Sequence, residues 1–147
     1  MLKNYINGKR KDSYEKQTVK ANNPANQKVI AEIPFGEKNI KDVNEAVNCA
    51  YKAYLEWRDV PVMKRVQVLY RLKSLMEENL DILAETITNE SGKTKSESYG
   101  ELQRAIENIE VACGTPMLIQ GDFIEDIASG IDEMMIRQPL GVTACIT

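Results

Sequence analysis

The sequence predicts an α+β beginning that leads into an α/β sheet, and three observations carry that reading. Turn signals bracket short alternating segments over 1–36, three apolar stripes at helical spacing fill 39–119, and a small, uninterrupted apolar run closes the chain over 140–147. Strands, then helices, then strands is the order of a layered domain whose sheet is built last. A continuous apolar run belongs in a strand covered on both faces, so the closing run reads as a buried strand. With no turn or cap after it, the chain reads as the front part of a larger domain.

In chain order, Asn7-Gly8 between Tyr5-Ile6 and Lys9-Arg10 is a hairpin signal, because both residues accept positive φ. The segment Thr18-Val19-Lys20-Ala21, the turn cluster Asn22-Asn23-Pro24-Ala25-Asn26 and the run Lys28 to Ile33 predict a second strand pair, ended by Pro34-Phe35-Gly36. Asn39 is the expected N-cap of a first helix, with Val43, Val47, Ala50, Tyr51, Tyr54 and Trp57 on one inward face. Asp59-Val60-Pro61 breaks and restarts the chain, since proline fits a first helical turn but not an interior. The second helix carries Val66, Leu69, Leu72, Leu75 and Met76, then Leu80, Leu83, Ala84 and Ile87 after a joint at Glu78-Asn79, and stops at Gly92. A third helix is expected over 94–119, with Tyr99, Leu102, Ile106, Ile109 and Cys113 inward and Pro116 disturbing the last turns. The stretch 121–130 reads as a loop with apolar anchors, and 131–138 as a short strand bounded by Gly130 and Pro139.

Composition narrows the function. With 43% hydrophobic and 28% charged residues over 147 positions, the chain is globular in type and long enough for one core. A net charge of −3 argues against a nucleic-acid surface, which normally shows a basic excess. No apolar run suits a bilayer span and the polar start lacks the apolar centre of a signal peptide, so a cytoplasmic location is expected. Three cysteines far apart, Cys49, Cys113 and Cys145, read as reduced thiols. The absence of histidine removes the commonest general base and zinc ligand, and no metal constellation is visible.

The individual chemical signals are weak. Ser91-Gly92-Lys93-Thr94 suggests a phosphate loop, but the glycine required five residues before Gly92 is Ile87, so the bland reading, a helix stop followed by a helix start, is preferred. Each cysteine sits on an apolar face or in the apolar closing run, where thiols act as small hydrophobes. Arg104 lies off the main stripe of its helix, with Gly100, Asn108 and Val111. Its plain reading is a surface arginine paired with Glu101 or Glu107.

Taken together, several stretches carry a resemblance. They are Asn4-Tyr5-Ile6-Asn7-Gly8-Lys9, Asn23-Pro24-Ala25, Glu90-Ser91-Gly92-Lys93-Thr94, Gly100-Glu101 with Arg104, Glu110-Val111-Ala112-Cys113 and Ile136-Arg137-Gln138-Pro139-Leu140-Gly141-Val142. The whole chain resembles the N-terminal part of an aldehyde dehydrogenase, most closely the CoA-acylating methylmalonate-semialdehyde dehydrogenases. The resemblance implies an oxidoreductase that uses NAD on a Rossmann-type sheet, with CoA as co-substrate. It oxidises a small carboxylated aldehyde to an acyl-CoA through a cysteine thioester.

The same resemblance implies roles residue by residue. Arg104 matches an arginine that pairs with the substrate carboxylate, a task suited to a planar guanidinium. Ile146 and Thr147 match the end of a strand whose backbone runs beside NAD, where Cys145 replaces a frequent glycine. The strand at 131–138 matches an arm for subunit contacts, which implies a homo-oligomer, dimer or tetramer, and 140–147 matches the first strand of the NAD domain. The catalytic cysteine and most NAD contacts would lie outside these residues, so the chain alone is expected to be inactive. Two alternatives stay open: a non-enzymatic helical assembly module derived from the family, and a non-acylating aldehyde dehydrogenase.

Overall fold

A computed structural model describes residues 1–146. The chain opens with β1 (Asn4–Ile6) and β2 (Lys9–Lys11), paired antiparallel with Tyr5 opposite Arg10. The two-residue turn puts Asn7 and Gly8 at φ of 52° and 72°, the geometry whose twist matches a hairpin. A second antiparallel pair joins β3 (Thr18–Asn22) to β4 (Val29–Pro34), with a register shift between Ala21 and Asn22. At its tip the buried Asn23 accepts the Ala25 N–H at 2.8 Å, the side-chain turn that asparagine forms with its own backbone.

The link between the hairpins is held by buried polar groups. Glu15, 4% exposed, accepts the backbone N–H groups of Lys16 and Gln17 on one oxygen, at 2.7 and 3.0 Å, and that of Lys38 on the other at 3.2 Å. Gly36 makes room for it, since a Cβ there would overlap the Glu15 carboxylate. Asp42 accepts the Ser13 hydroxyl at 2.5 Å and the Tyr14 N–H at 3.3 Å, which ties the link to the first helix.

That helix, α1 (Asn39–Trp57), starts at Asn39 without a side-chain cap. Asn39 turns its oxygen back to the Gly36 N–H at 2.7 Å and so tightens the turn ahead of the helix. The face expected inward is exposed: Val43, Val47, Tyr51 and Trp57 are each about half accessible, and Asp42 is the buried position. α1 packs on β1, and apart from a hydrogen bond from the Tyr54 hydroxyl to the Pro139 carbonyl at 3.4 Å its apolar stripe is largely left open by the described residues.

The predicted second helix is three pieces, α2 (Val62–Arg65), α3 (Gln67–Glu78) and α4 (Leu80–Ser91). Pro61 begins the first piece. Asn79 forms the joint at φ −116°, its side-chain amide donating to the Leu75 carbonyl at 2.8 Å. Gly92 ends α4 in the left-handed conformation, as read from the sequence. α5 (Lys95–Cys113) follows a Thr94 cap, and Gly114 separates it from the short α6 (Thr115–Leu118), which holds Pro116 in its first turn.

The core lies where α5 meets α3 and α4. Val66, Ala84, Leu102, Ile106 and Cys113 are buried there, and Ser98 is fully buried with its hydroxyl on Thr88 and the Thr94 carbonyl, at 2.9 and 3.1 Å. Small side chains at Ala84 and Ser98 let α4 and α5 come close, and the serine's polar atom stays satisfied. Leu72 and Leu75, expected inward, are exposed, and Tyr99 and Ile109 are half-buried.

The end of the chain departs most from expectation. The expected loop 121–130 contains a strand, β5 (Phe123–Ala128), paired with β6 (Ile131–Met134) across a turn with Gly130 at φ 73°. The expected strand 131–138 ends at Met134. Beyond it Met135 donates to the Asp122 carbonyl at 2.8 Å and Arg137 to the Gln120 carbonyl at 3.0 Å, with Gly121 packed so tightly on Met135 that a Cβ would overlap it. Residues 140–146 form no strand, and Leu140 and Ile146 are 97% and 99% exposed instead of buried. A strand's backbone needs a neighbour for its N–H and C=O groups, and the three sheets described are separate antiparallel pairs that offer it none.

Candidate functional site

Arg104 stands on the exposed face of α5, between the buried Leu102 and Ile106 that anchor the helix. Helical geometry accounts for the arrangement. Positions 98, 102, 106 and 113 face the core, so 100, 104, 108 and 111 fall on the outer side. Val111, on that same side, is 68% exposed. The pairings that would have made Arg104 an ordinary surface arginine are not formed. Glu101 is held by Lys93, and among the described residues no ion pair involves Arg104. Further along the helix, Lys73 engages Glu110 at 3.4 Å and, on its own helix, Glu77 at 2.6 Å, while Glu97 is held by the Thr94 cap. Arg104 is left presenting a fork of donors that fits a carboxylate with two parallel hydrogen bonds.

The Gly-Lys-Thr stretch works as a helix stop and start. Thr94 and Glu97 form a capping box: the Thr94 hydroxyl accepts the Glu97 N–H at 3.3 Å while the Glu97 carboxylate accepts the Thr94 N–H at 2.9 Å. The Thr94 hydroxyl and backbone hold the Glu97 carboxyl below its ordinary range. Gly92 lies against the Pro24-Ala25 turn, where a Cβ would come within 2.9 Å of the Ala25 nitrogen. Two of the stretches that carried the resemblance therefore touch in space.

No thiol here is set up as a nucleophile. Cys113 is buried in the core and Cys49 half-buried under β1; Cys145, expected in a buried strand, is exposed on the irregular closing segment. Among the described residues no group of acidic or cysteine side chains could hold a metal ion. An apolar hollow of about 230 Å³ lies between the end of α1, α2, the start of α3 and α6. Trp57, Val62, Arg65, Val66, Val68, Leu69 and Thr115 line it, and Arg104 does not. Nor is any helix of the described residues long and apolar enough to cross a membrane.

The nucleotide positions fare differently from Arg104. Ile146 is exposed and belongs to no strand, and Thr147 lies outside the described residues. The described strands are all antiparallel pairs, without the parallel sheet and strand-to-helix turn that cradle a dinucleotide. The residues described therefore do not by themselves fit NAD. Gly100, quoted in the resemblance without a role, shares the outer face of α5 with Arg104. It is a glycine inside a helix, one turn before Arg104.

Comparison with known proteins gives a consistent result. The model of the aldehyde dehydrogenase family matches residues 11–147. Malonate-semialdehyde dehydrogenase 1 of Geobacillus kaustophilus (strain HTA426) is 43% identical over 147 residues, covering 100% of this chain and 30% of the relative. The malonate-semialdehyde dehydrogenase of Bacillus pumilus (strain SAFR-032) is 44% identical over the same span, again 30% of its length. Among solved structures, methylmalonate-semialdehyde dehydrogenase from Oceanimonas doudoroffii superposes with a TM-score of 0.84 at 34% identity, over 92% of this chain and 27% of that one. A Sinorhizobium meliloti 1021 protein assigned the same activity, solved in complex with NAD, gives 0.86 at 31% identity, also over 92% and 27%. The chain spans about 30% of the length of the curated relatives it matches.

Proposed function

Because the chain belongs to the aldehyde dehydrogenase family, we propose that it serves as the N-terminal portion of an NAD-dependent, CoA-acylating semialdehyde dehydrogenase. The substrate is a small aldehyde bearing a carboxylate, of the malonate or methylmalonate semialdehyde type. The observation that carries this reading is Arg104, a guanidinium on an exposed helix face that no acidic side chain of the described residues engages. An aldehyde without a second charge has no use for it; a carboxylated one gains orientation and affinity from two charge-assisted hydrogen bonds.

In this reading the chain binds and orients, and the covalent chemistry lies outside it. The described residues supply neither a dinucleotide cradle nor a paired thiol, so the nucleophilic cysteine, the oxyanion donors and the hydride acceptor NAD come from the rest of the enzyme. The chain by itself does not turn over. The β5–β6 ribbon, exposed at every position, is the arm through which a second copy is engaged, giving a homo-oligomer. A two-stranded ribbon is marginal alone and gains from edge pairing.

Steady-state kinetics of Arg104→Gln in the complete enzyme carrying this chain test the reading. The variant is expected to raise the KM for malonate semialdehyde by roughly tenfold to a hundredfold, the range for losing a charge-assisted hydrogen bond. Arg104→Lys should recover only part, since an ammonium cannot grip both oxygens in one plane. An unchanged preference for carboxylated over uncharged aldehydes in Arg104→Gln would reject the assignment.

A further inference from the structure

Gly100 sits inside α5 on the same face as Arg104 and four residues before it. Glycine weakens a helix relative to alanine, so its presence in a helix interior asks for a reason. The backbone supplies none, because Gly100 is absent from the positions with positive φ. Packing among the described residues supplies none either: a Cβ built there meets nothing of theirs within 4 Å. Other glycines of the helical layer are accounted for. Gly92 needs its φ of +74° and abuts Ala25, and a Cβ at Gly114 would crowd the Val111 carbonyl at 3.1 Å.

The open space at Gly100 has a definite place. Side chains on a helix lean toward the preceding turn, so Arg104 reaches over the turn that contains Gly100. No Arg104 atom comes within 4 Å of the missing Cβ, and the neighbouring Glu101 is drawn aside to Lys93. A carboxylate gripped by Arg104 therefore sets its adjoining carbon beside bare backbone.

We propose that Gly100 is a specificity-determining position whose notch receives the α-carbon of the carboxylated aldehyde and admits a methyl branch on it. The proposal rests on the Arg104 reading above. It deepens that reading by naming what the site tolerates next to the carboxylate: hydrogen or methyl, the difference between a malonate-type and a methylmalonate-type semialdehyde.

The test is Gly100→Ala in the complete enzyme carrying this chain, assayed with unbranched and α-methyl semialdehydes, with melting temperature measured alongside and Arg104→Gln in parallel. The expected result is a loss of about tenfold or more in kcat/KM for the α-methyl substrate relative to the unbranched one, the usual effect of one misfitted methyl. The melting temperature should hold or rise, since alanine favours the helix. An unchanged ratio between the two substrates overturns the proposal. So does a fall in melting temperature, whatever the ratio, because it places protein in the notch. If Arg104→Gln also leaves the preference for carboxylated aldehydes intact, the functional reading fails; if it removes that preference while Gly100→Ala leaves the ratio unchanged, only the Gly100 assignment fails.

Discussion

Glu15 shows how a single polar side chain can organise a junction that hydropathy does not reveal. Its two oxygens gather the N–H groups of Gln17, Lys16 and Lys38, and these bonds hold its carboxyl below the ordinary range. A carboxyl shifted down contributes stability above its unfolded-state value of about 4.3 and loses that contribution as pH falls through the lowered folded-state value. Glu15→Gln offers one acceptor oxygen in place of two and turns an amide donor toward a donor. It should therefore lower the melting temperature near neutral pH, with the gap from wild type shrinking on acidification below about pH 4. A gap that stays constant through an acid titration of melting temperature would contradict this. Buried polar residues such as Glu15, Asp42 and Ser98 were illegible because their letters match those of a solvated surface; only the partners identify them. Arg104 was legible as an oddity on its helix, but its pairing was not. Which of Lys93 and Arg104 takes Glu101 depends on how the α4–α5 turn is folded.

At the scale of elements, strong local chemistry was readable and tertiary pairing was not. Asn7-Gly8, Pro61, Asn79 and Gly92 each impose a backbone state by their own covalent structure, and each break or turn lies where it was read. Gly92 carries two constraints at once, a left-handed φ and contact with the Pro24-Ala25 turn. Gly92→Ala is expected to destabilise the fold by roughly 1–2 kcal/mol from the backbone alone, and by more once the Cβ presses on Ala25. Urea denaturation that finds the variant as stable as wild type would refute the double role. β5 was misread as a loop because Glu125 and Asp126 interrupt its apolar residues, and Asp126, at φ 49°, sits where the register shifts. The apolar faces of α1 and of 140–146 were read as buried because apolar residues usually seek cover, yet periodicity cannot say which surface provides it.

Across the whole molecule, the exposed apolar surface on α1, on the β5–β6 ribbon and at Leu140 and Ile146 fits a chain that spans about 30% of the relatives it matches. Soluble folds rarely leave contiguous apolar faces open without a partner for them. The family was readable because motifs such as Gly-Lys-Thr and Pro-Leu-Gly-Val are set by local sequence. The nucleotide site was not, because a cradle for NAD needs a parallel sheet that the described residues do not form. Substrate recognition on this chain and chemistry elsewhere is the division of labour proposed. Its most direct test is the product formed by the complete enzyme from a carboxylated semialdehyde, NAD and CoA. The account expects acyl-CoA thioester to accumulate in step with NADH. Formation of free dicarboxylate at a rate indifferent to CoA would contradict it.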